Sequence, residues 1–234
     1  NIGVIIMESN SGKIKSIVQK DESEANINLG IEQMGYEPGS IYKVITLSSA
    51  LEHGIININD TYTCNGDICK HSHGKITVEK AFEISCNDVF AQIGCKLGYD
   101  KLMEDSKSQG LYNRVLNFAG DNKNEAMGMM PTEDLGMNNI SIGQCMNVTP
   151  IQMIGAINTV VNNGIYEKPY IIDSILDKDD NVVKEFKKDE KKIYSETTAK
   201  IVKNAMIQVI KNGTGKKAYV DGVVAGGKTG SATG

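Results

Sequence analysis

Tyr36-Glu37-Pro38-Gly39-Ser40-Ile41-Tyr42-Lys43-Val44-Ile45-Thr46 marks the point where a polar, irregular stretch gives way to a helix. Pro38-Gly39 reads as a turn. From Ser40 onward Ile41, Val44, Ile45 and Leu51 recur near a 3.6-residue spacing, and Gly54 supplies a stop. Upstream, residues 4–7 and 14–19 are apolar and rich in β-branched side chains. Glu8-Ser9-Asn10-Ser11-Gly12-Lys13 joins them, which predicts a β-hairpin. Residues 20–37 are polar and irregular.

Downstream, residues 55–76 read as a loop, and 77–97 as helix broken near Ser85-Cys86-Asn87. The Gly-, Met- and Asn-rich stretch from Gly110 to Asn147 carries no clear period. Its methionines, several between Met127 and Met137, read as flexible packing near a cleft. Thr149-Pro150 is an N-cap and first-turn pair opening a helix that Gly164 ends. Residues 170–186 predict a second hairpin around Asp179-Asp180-Asn181. A helix spans about 197–211, closed by Asn212-Gly213, and Val220–Gly234 reads as a Gly-rich strand. With strands near both ends and helices between, the expectation is one α/β (α+β) domain. In it, first and last strands meet in one antiparallel sheet flanked by helices.

The chain has 234 residues, 40% hydrophobic and 23% charged, an ordinary globular balance. A formal net charge of -4 gives no basic footprint for nucleic acid. No apolar run approaches the ~18 residues of a membrane span, and no charged-then-apolar leader opens the sequence. Both ends read as interrupted strands.

Ser40-Ile41-Tyr42-Lys43 places a hydroxyl and an amine on one helix face, because positions three apart are neighbours there. Serine is a weak nucleophile until a base takes its proton. Lysine can be that base if burial or nearby cations lower its pKa. The helix start offers free backbone N–H groups to a developing oxyanion. Alone the pattern is weak: Ser72 and Lys75 repeat it in a polar loop, and Ser40 could simply cap the helix. Two further patterns occur once each, Ser85-Cys86-Asn87 and Lys228-Thr229-Gly230-Ser231. Ser-x-x-Lys, Ser-x-Asn and Lys-Thr-Gly in that order are the signature shared by penicillin-binding proteins and class A β-lactamases.

The flanks extend the likeness. Tyr36–Thr46 resembles the nucleophile segment of class B penicillin-binding proteins, and His73-Gly74-Lys75-Ile76-Thr77 resembles their approach to the second motif. Ser141-Ile142-Gly143-Gln144, Thr149-Pro150-Ile151-Gln152-Met153, Asn212-Gly213-Thr214-Gly215 and Val224–Gly230 are similar to other recurring stretches. The resemblance covers essentially the whole chain. It implies a transpeptidase domain over 1–234 with the β-lactamase-like fold, lacking an N-terminal anchor and the last C-terminal strands. It also implies a place on the outer face of the bacterial cytoplasmic membrane, among cell-wall synthesis partners.

By that resemblance Ser40 attacks the penultimate D-alanine carbonyl of a peptidoglycan stem peptide, Lys43 takes its proton, and Ser85 passes a proton to the leaving D-alanine. Asn87 holds the substrate amide. Lys228, Thr229, Gly230 and Ser231 form the substrate strand, with Lys228 and Thr229 on the terminal carboxylate. The N–H groups of Ser40 and Ser231 form the oxyanion hole, and an amine of a second stem peptide resolves the acyl-enzyme. β-Lactams would trap Ser40. Lys228 near Lys43 would favour the neutral amine. Two departures stand out: Ser231 where many relatives carry threonine, and Cys145 where glycine is expected. Rival readings are a serine β-lactamase, for which Glu125, Glu133 and Asp134 are the available bases, a β-lactam sensor, and a carboxypeptidase.

The chemistry needs no cofactor, and five cysteines, an odd number, exclude a complete set of internal disulfides. Cys64, Cys69, His71, His73 and Cys86 offer thiolate and imidazole ligands of the kind structural zinc uses. Some elongation-type class B enzymes carry a similar pattern. The favoured set is Cys64, Cys69, His73 and Cys86, with His71 as substitute. A Cys64–Cys69 disulfide and free thiols are the other readings. Cys95 reads as core, beside Ile93 and Leu97.

Overall fold

The computed structural model describes residues 2–20, 35–116, 125–185 and 188–232. Its elements run β1 (Ile2–Met7), β2 (Ile14–Lys20), α1 (Lys43–Glu52), β3 (Thr61–Cys64), β4 (Gly74–Thr77), α2 (Val78–Glu83), α3 (Asn87–Leu97) and α4 (Tyr99–Ser108). They continue with α5 (Met137–Ile140), α6 (Pro150–Val161), β5 (Ile165–Glu167), β6 (Ser174–Leu176), β7 (Val182–Glu185), β8 (Glu190–Lys192) and α7 (Glu196–Lys211). Among the described residues all ladders are antiparallel and two-stranded: β1 with β2, β3 with β4, β5 with β8, β6 with β7.

The centre of the packing is α1. Lys43 through Ala50 are all buried, and a helix buried on every side must satisfy its own polar groups. It does: Ser48 Oγ donates to the Val44 carbonyl at 2.8 Å, Thr46 Oγ1 to the Ser141 carbonyl at 2.8 Å, and Ser49 Oγ to Asp105 at 2.5 Å. Around it pack α3, α4, α6 and α7. Tyr42, wholly buried just before α1, finds Ser106 Oγ at 2.7 Å. At α6 the Thr149 hydroxyl accepts from the Gln152 N–H while the Gln152 side chain accepts from the Thr149 N–H, so Thr149-Pro150 starts the helix by a full capping box.

The mixed helix and antiparallel-sheet class is as expected, and both hairpins, the break at residues 84–86 and helices α1, α6 and α7 lie where the periodicity puts them. Four details differ. Residues 55–76 are not all loop, since Thr61–Cys64 pairs with Gly74–Thr77. The nine residues between those strands exceed a tight turn, which hid the hairpin. Tyr99–Ser108 forms a helix that the sequence reading left unassigned. Residues 220–232 carry no ladder and do not join β1; Gly227 N–H instead donates to the Met206 carbonyl of α7 at 3.1 Å. Four glycines (Gly222, Gly226, Gly227 and Gly230) leave that segment few side chains to pack as a strand. Finally, Cys95 is exposed whereas Ile93 and Leu97 are buried. Residues two apart on a helix point about 200° apart, so Cys95 cannot share their face. Parts of the readings for 20–37, 110–147, 170–186 and 220–234 fall outside the described residues.

Two glycines bring the site segments together. Gly143 has φ +82, and a Cβ there would lie 2.1 Å from the Gly39 carbonyl oxygen; the Gly39 N–H donates to the Gly143 carbonyl at 2.9 Å. Gly54, at φ +64, has nothing within 4 Å. Gly143→Ala therefore meets both backbone strain and a collision, while Gly54→Ala meets strain alone. Denaturant unfolding is expected to show a loss of about 1 kcal/mol for Gly54→Ala and of roughly 2–4 kcal/mol for Gly143→Ala. Equal losses would contradict the close approach.

Candidate active site

Ser40 sits half-buried in a single 3-10 turn, Gly39–Tyr42, that runs straight into α1. Gly39 has φ +52, and a Cβ on it would lie 2.2 Å from the Ser231 carbonyl oxygen. A Cβ on Gly230 would lie 2.4 Å from Ile41 Cγ1. The third motif is thus laid against the turn that carries Ser40, and only glycine permits the approach on either side.

Lys43, one turn on, points its amine into the break between α2 and α3. Nζ donates to the Ser85 carbonyl at 2.8 Å, to Asn87 Oδ1 at 2.6 Å and to Ser85 Oγ at 3.3 Å. Lys228 Nζ reaches the same Ser85 Oγ at 2.8 Å and the Thr229 carbonyl at 2.9 Å. One hydroxyl therefore lies between two amines. The rings of Phe90 and Phe82 lie beneath them, 5.6 Å from Lys43 Nζ and 5.8 Å from Lys228 Nζ. Burial, and then the charge of Lys228, bring the Lys43 pKa down to about 7; burial brings Lys228 to about 8. An amine that titrates near neutrality can take a proton from a hydroxyl.

Ser85 has φ +61, a conformation costly for a residue with a Cβ. It is held by the Ser85 N–H to the Phe82 carbonyl at 3.2 Å, the Cys86 N–H to the Ala81 carbonyl at 2.8 Å, and Lys43 on its own carbonyl. Cys145, at φ +62, also stands in a left-handed position, which explains why glycine is the expected residue there. Its N–H is held by Glu37 Oε1 at 2.8 Å.

The sulfurs and one imidazole gather beside this break. Cys64, Cys69, His73 and Cys86 each bring a ligand atom within 4.8 Å of the others. Cys64 Sγ lies 3.2 Å from His73 Nδ1, and Cys69 Sγ 3.6 Å from Cys86 Sγ. Those separations suit a tetrahedron whose metal–ligand bonds are about 2.0–2.3 Å, with edges of roughly 3.3–3.8 Å. The donor set and its spacing fit structural zinc. His71 is exposed, outside the four, its ring edge-on to His73 at 4.7 Å between centroids. The thiols are all free, so no Cys64–Cys69 disulfide is present.

Sequence reasoning missed Asp88. Its carboxylate accepts the N–H groups of Gly66, Asp67, Ile68 and Cys69 at 2.6–3.0 Å and the Cys64 thiol at 3.2 Å. Although burial opposes it, these donors hold its pKa well below the usual carboxylate range. The cysteine loop hangs from this one side chain. An acid one position past Ser-x-Asn was the only signal. Of the three candidate bases for water attack, Glu125 is buried and accepts the N–H groups of Val115 and Leu116 at 2.6 and 2.7 Å, while Glu133 and Asp134 lie exposed on a 3-10 turn.

Residues 2–234 match the family model described as the penicillin binding protein transpeptidase domain. Stage V sporulation protein D of Bacillus subtilis (strain 168) is 34% identical over 231 residues, covering 91% of this chain and 35% of that protein. The chain thus spans about a third of the length of that relative. Two solved structures share the fold at 22% identity. The D,D-transpeptidase domain of a peptidoglycan glycosyltransferase from Eggerthella lenta gives a TM-score of 0.87, covering 99% of this chain and 66% of that one. Penicillin-binding protein A from Mycobacterium tuberculosis gives 0.82, covering 99% and 60%.

Lys43 should titrate near 7 when followed by NMR of carbon-labelled lysine. In Lys228→Gln the like charge is gone, the ammonium form of Lys43 is favoured, and its midpoint should move up. A midpoint unchanged or lowered would contradict the coupling.

Proposed function

This chain belongs to the penicillin-binding protein transpeptidase family, and on that premise we propose that it is the catalytic domain of a serine D,D-transpeptidase that cross-links peptidoglycan. The observation that carries the reading is the convergence of Lys43, Ser85, Asn87 and Lys228 in one hydrogen-bonded group beside the Ser40 turn. Ser40 Oγ attacks the penultimate D-alanine carbonyl as its proton passes to neutral Lys43. The tetrahedral oxyanion is met by the Ser40 and Ser231 N–H groups. Collapse breaks the C–N bond, and the departing D-alanine nitrogen takes the proton through the Ser85 hydroxyl, which both amines already address. The Ser40 ester is then attacked by the amine of a second stem peptide. That closes the cross-link and returns the proton to Ser40.

Asn87 spends Oδ1 on Lys43 and has its amide hydrogens left to offer a substrate carbonyl. Lys228 and Thr229 would take the terminal carboxylate. The Mycobacterium tuberculosis protein named above is described as an imipenem acyl-enzyme complex, and the same trapping at Ser40 follows from the reading here. A β-lactamase would need a base for water, and the commitment of Glu125 to two backbone N–H groups argues against that use. The reading places the domain on the outer face of a bacterial cytoplasmic membrane, acting on peptidoglycan stem peptides beside cell-wall synthesis partners. The described residues include no helix long and apolar enough to cross a membrane.

The proposal includes a structural zinc held by Cys64, Cys69, His73 and Cys86. Bound there, it would supply a cross-link between the cysteine loop and the N-terminus of α3. Cys86 lies between Ser85 and Asn87, and the Asn87 N–H donates to Cys69 Sγ at 3.2 Å, so the ligands would fix both catalytic side chains. Burial raises the Cys64 and Cys86 thiols above their ordinary pKa. Binding must displace those protons and should tighten as pH rises.

Intact-protein mass spectrometry after exposure to benzylpenicillin should give one stable adduct of one drug mass, absent in Ser40→Ala. A folded protein without an adduct overturns the reading, and a rapidly lost adduct points to a β-lactamase. With an acyl-donor peptide ending in D-Ala-D-Ala, more product in the presence of an amine acceptor distinguishes transpeptidase from carboxypeptidase. Native mass spectrometry should show one zinc, removed by a chelator with a lowered Tm and missing from Cys69→Ser. A chelator-insensitive Tm and a metal-free native mass would refute the metal assignment.

A further inference from the structure

The Asn212-Gly213-Thr214-Gly215 turn has no part in the chemistry set out above, yet it is wedged between the second and third motifs. The Thr214 N–H donates to the carbonyl of Glu83, two residues before Ser85, at 3.2 Å. A Cβ on Gly213 would lie 2.2 Å from that same Glu83 oxygen. On the other side the Gly215 N–H donates to the Val209 carbonyl at 3.0 Å, and a Cβ on Gly215 would lie 2.6 Å from Ile210 Cδ1. Close approach to the Glu83 backbone dictates Gly213, and the backbone hydrogen bonds of Thr214 and Gly215 on either side fix where Thr214 stands. Its hydroxyl lies 2.6 Å from the Thr229 hydroxyl.

Resting on the transpeptidase reading, we propose that Thr214 is a positioning residue for carboxylate recognition: its hydroxyl donates to Thr229 Oγ1 and so turns the Thr229 proton toward the bound anion. A hydroxyl has one proton and two acceptor sites. If Thr229 donates to Thr214, it has nothing to give a carboxylate. If it accepts from Thr214, its proton is free for the ligand, and the two hydroxyls form a polarised chain ending on the negative charge. An anion selects the second arrangement. Lys228 cannot set it, because its amine is engaged with Ser85 Oγ and the Thr229 carbonyl rather than the Thr229 hydroxyl. Both threonines are exposed, so water competes and the effect is one of degree.

The test compares second-order acylation by benzylpenicillin with that by its methyl ester, which lacks the charged carboxylate. Thr214→Val should slow acylation by the acid about three- to tenfold and leave the ester rate within error. Thr214→Ser should restore the acid rate. In a Thr229→Val background, Thr214→Val should cause no further loss. Equal losses for acid and ester, no loss for either, or a full additional loss in the Thr229→Val background would each overturn the proposal. Wild-type protein that neither ligand acylates would instead refute the transpeptidase reading, so the two failures are distinguishable.

Discussion

Everything in the site turns on one hydroxyl shared by two amines. Ser85 Oγ lies 3.3 Å from Lys43 Nζ and 2.8 Å from Lys228 Nζ, and two ammonium ions at that separation from a common atom repel each other. Burial first, and then this repulsion, hold Lys43 in the range where it can be a base. Such a grouping exists only if the backbone forces it. The forcing comes from the left-handed Ser85, from the all-buried α1 that delivers Lys43, and from α7, on which the 220–232 segment lies.

The glycines define how closely those parts come. Gly39 meets Gly143 on one side and Ser231 on the other, Gly230 meets Ile41, and Gly213 meets Glu83. The contacts are backbone against backbone, except that of Gly230 with the Ile41 side chain. Packing of this kind has little tolerance, which suits a site where a misplacement of an ångström is costly in rate.

Much of this was legible from residues alone. Helices α1, α6 and α7 announced themselves by period and caps, and Ser40, Lys43, Ser85, Asn87 and Lys228 by order along the chain; the fold brings all but Ser40 into one hydrogen-bonded group. The favoured metal-ligand set also converges in space. What escaped was tertiary in origin. The β3–β4 hairpin is too widely spaced for a turn signal, Asp88 acts through four backbone groups that no side-chain pattern encodes, and the 220–232 segment finds its partner on a helix rather than a strand. Cys95 was misplaced by taking proximity in sequence for a shared helical face.

The span of the contacts has a consequence for how the chain matures. Lys43 and Ser85 are 42 positions apart, but Ser85 and Lys228 are separated by 143. Closing a connection of that length is entropically slow and comes after the local helices have formed. The shorter Lys43–Ser85 connection carries the smaller closure cost of the two. A chain that has not yet closed the longer connection holds Lys43 beside Ser85 without Lys228 on the same hydroxyl. The grouping of Lys43, Ser85 and Lys228 around one hydroxyl therefore belongs to the finished molecule and to no local part of it.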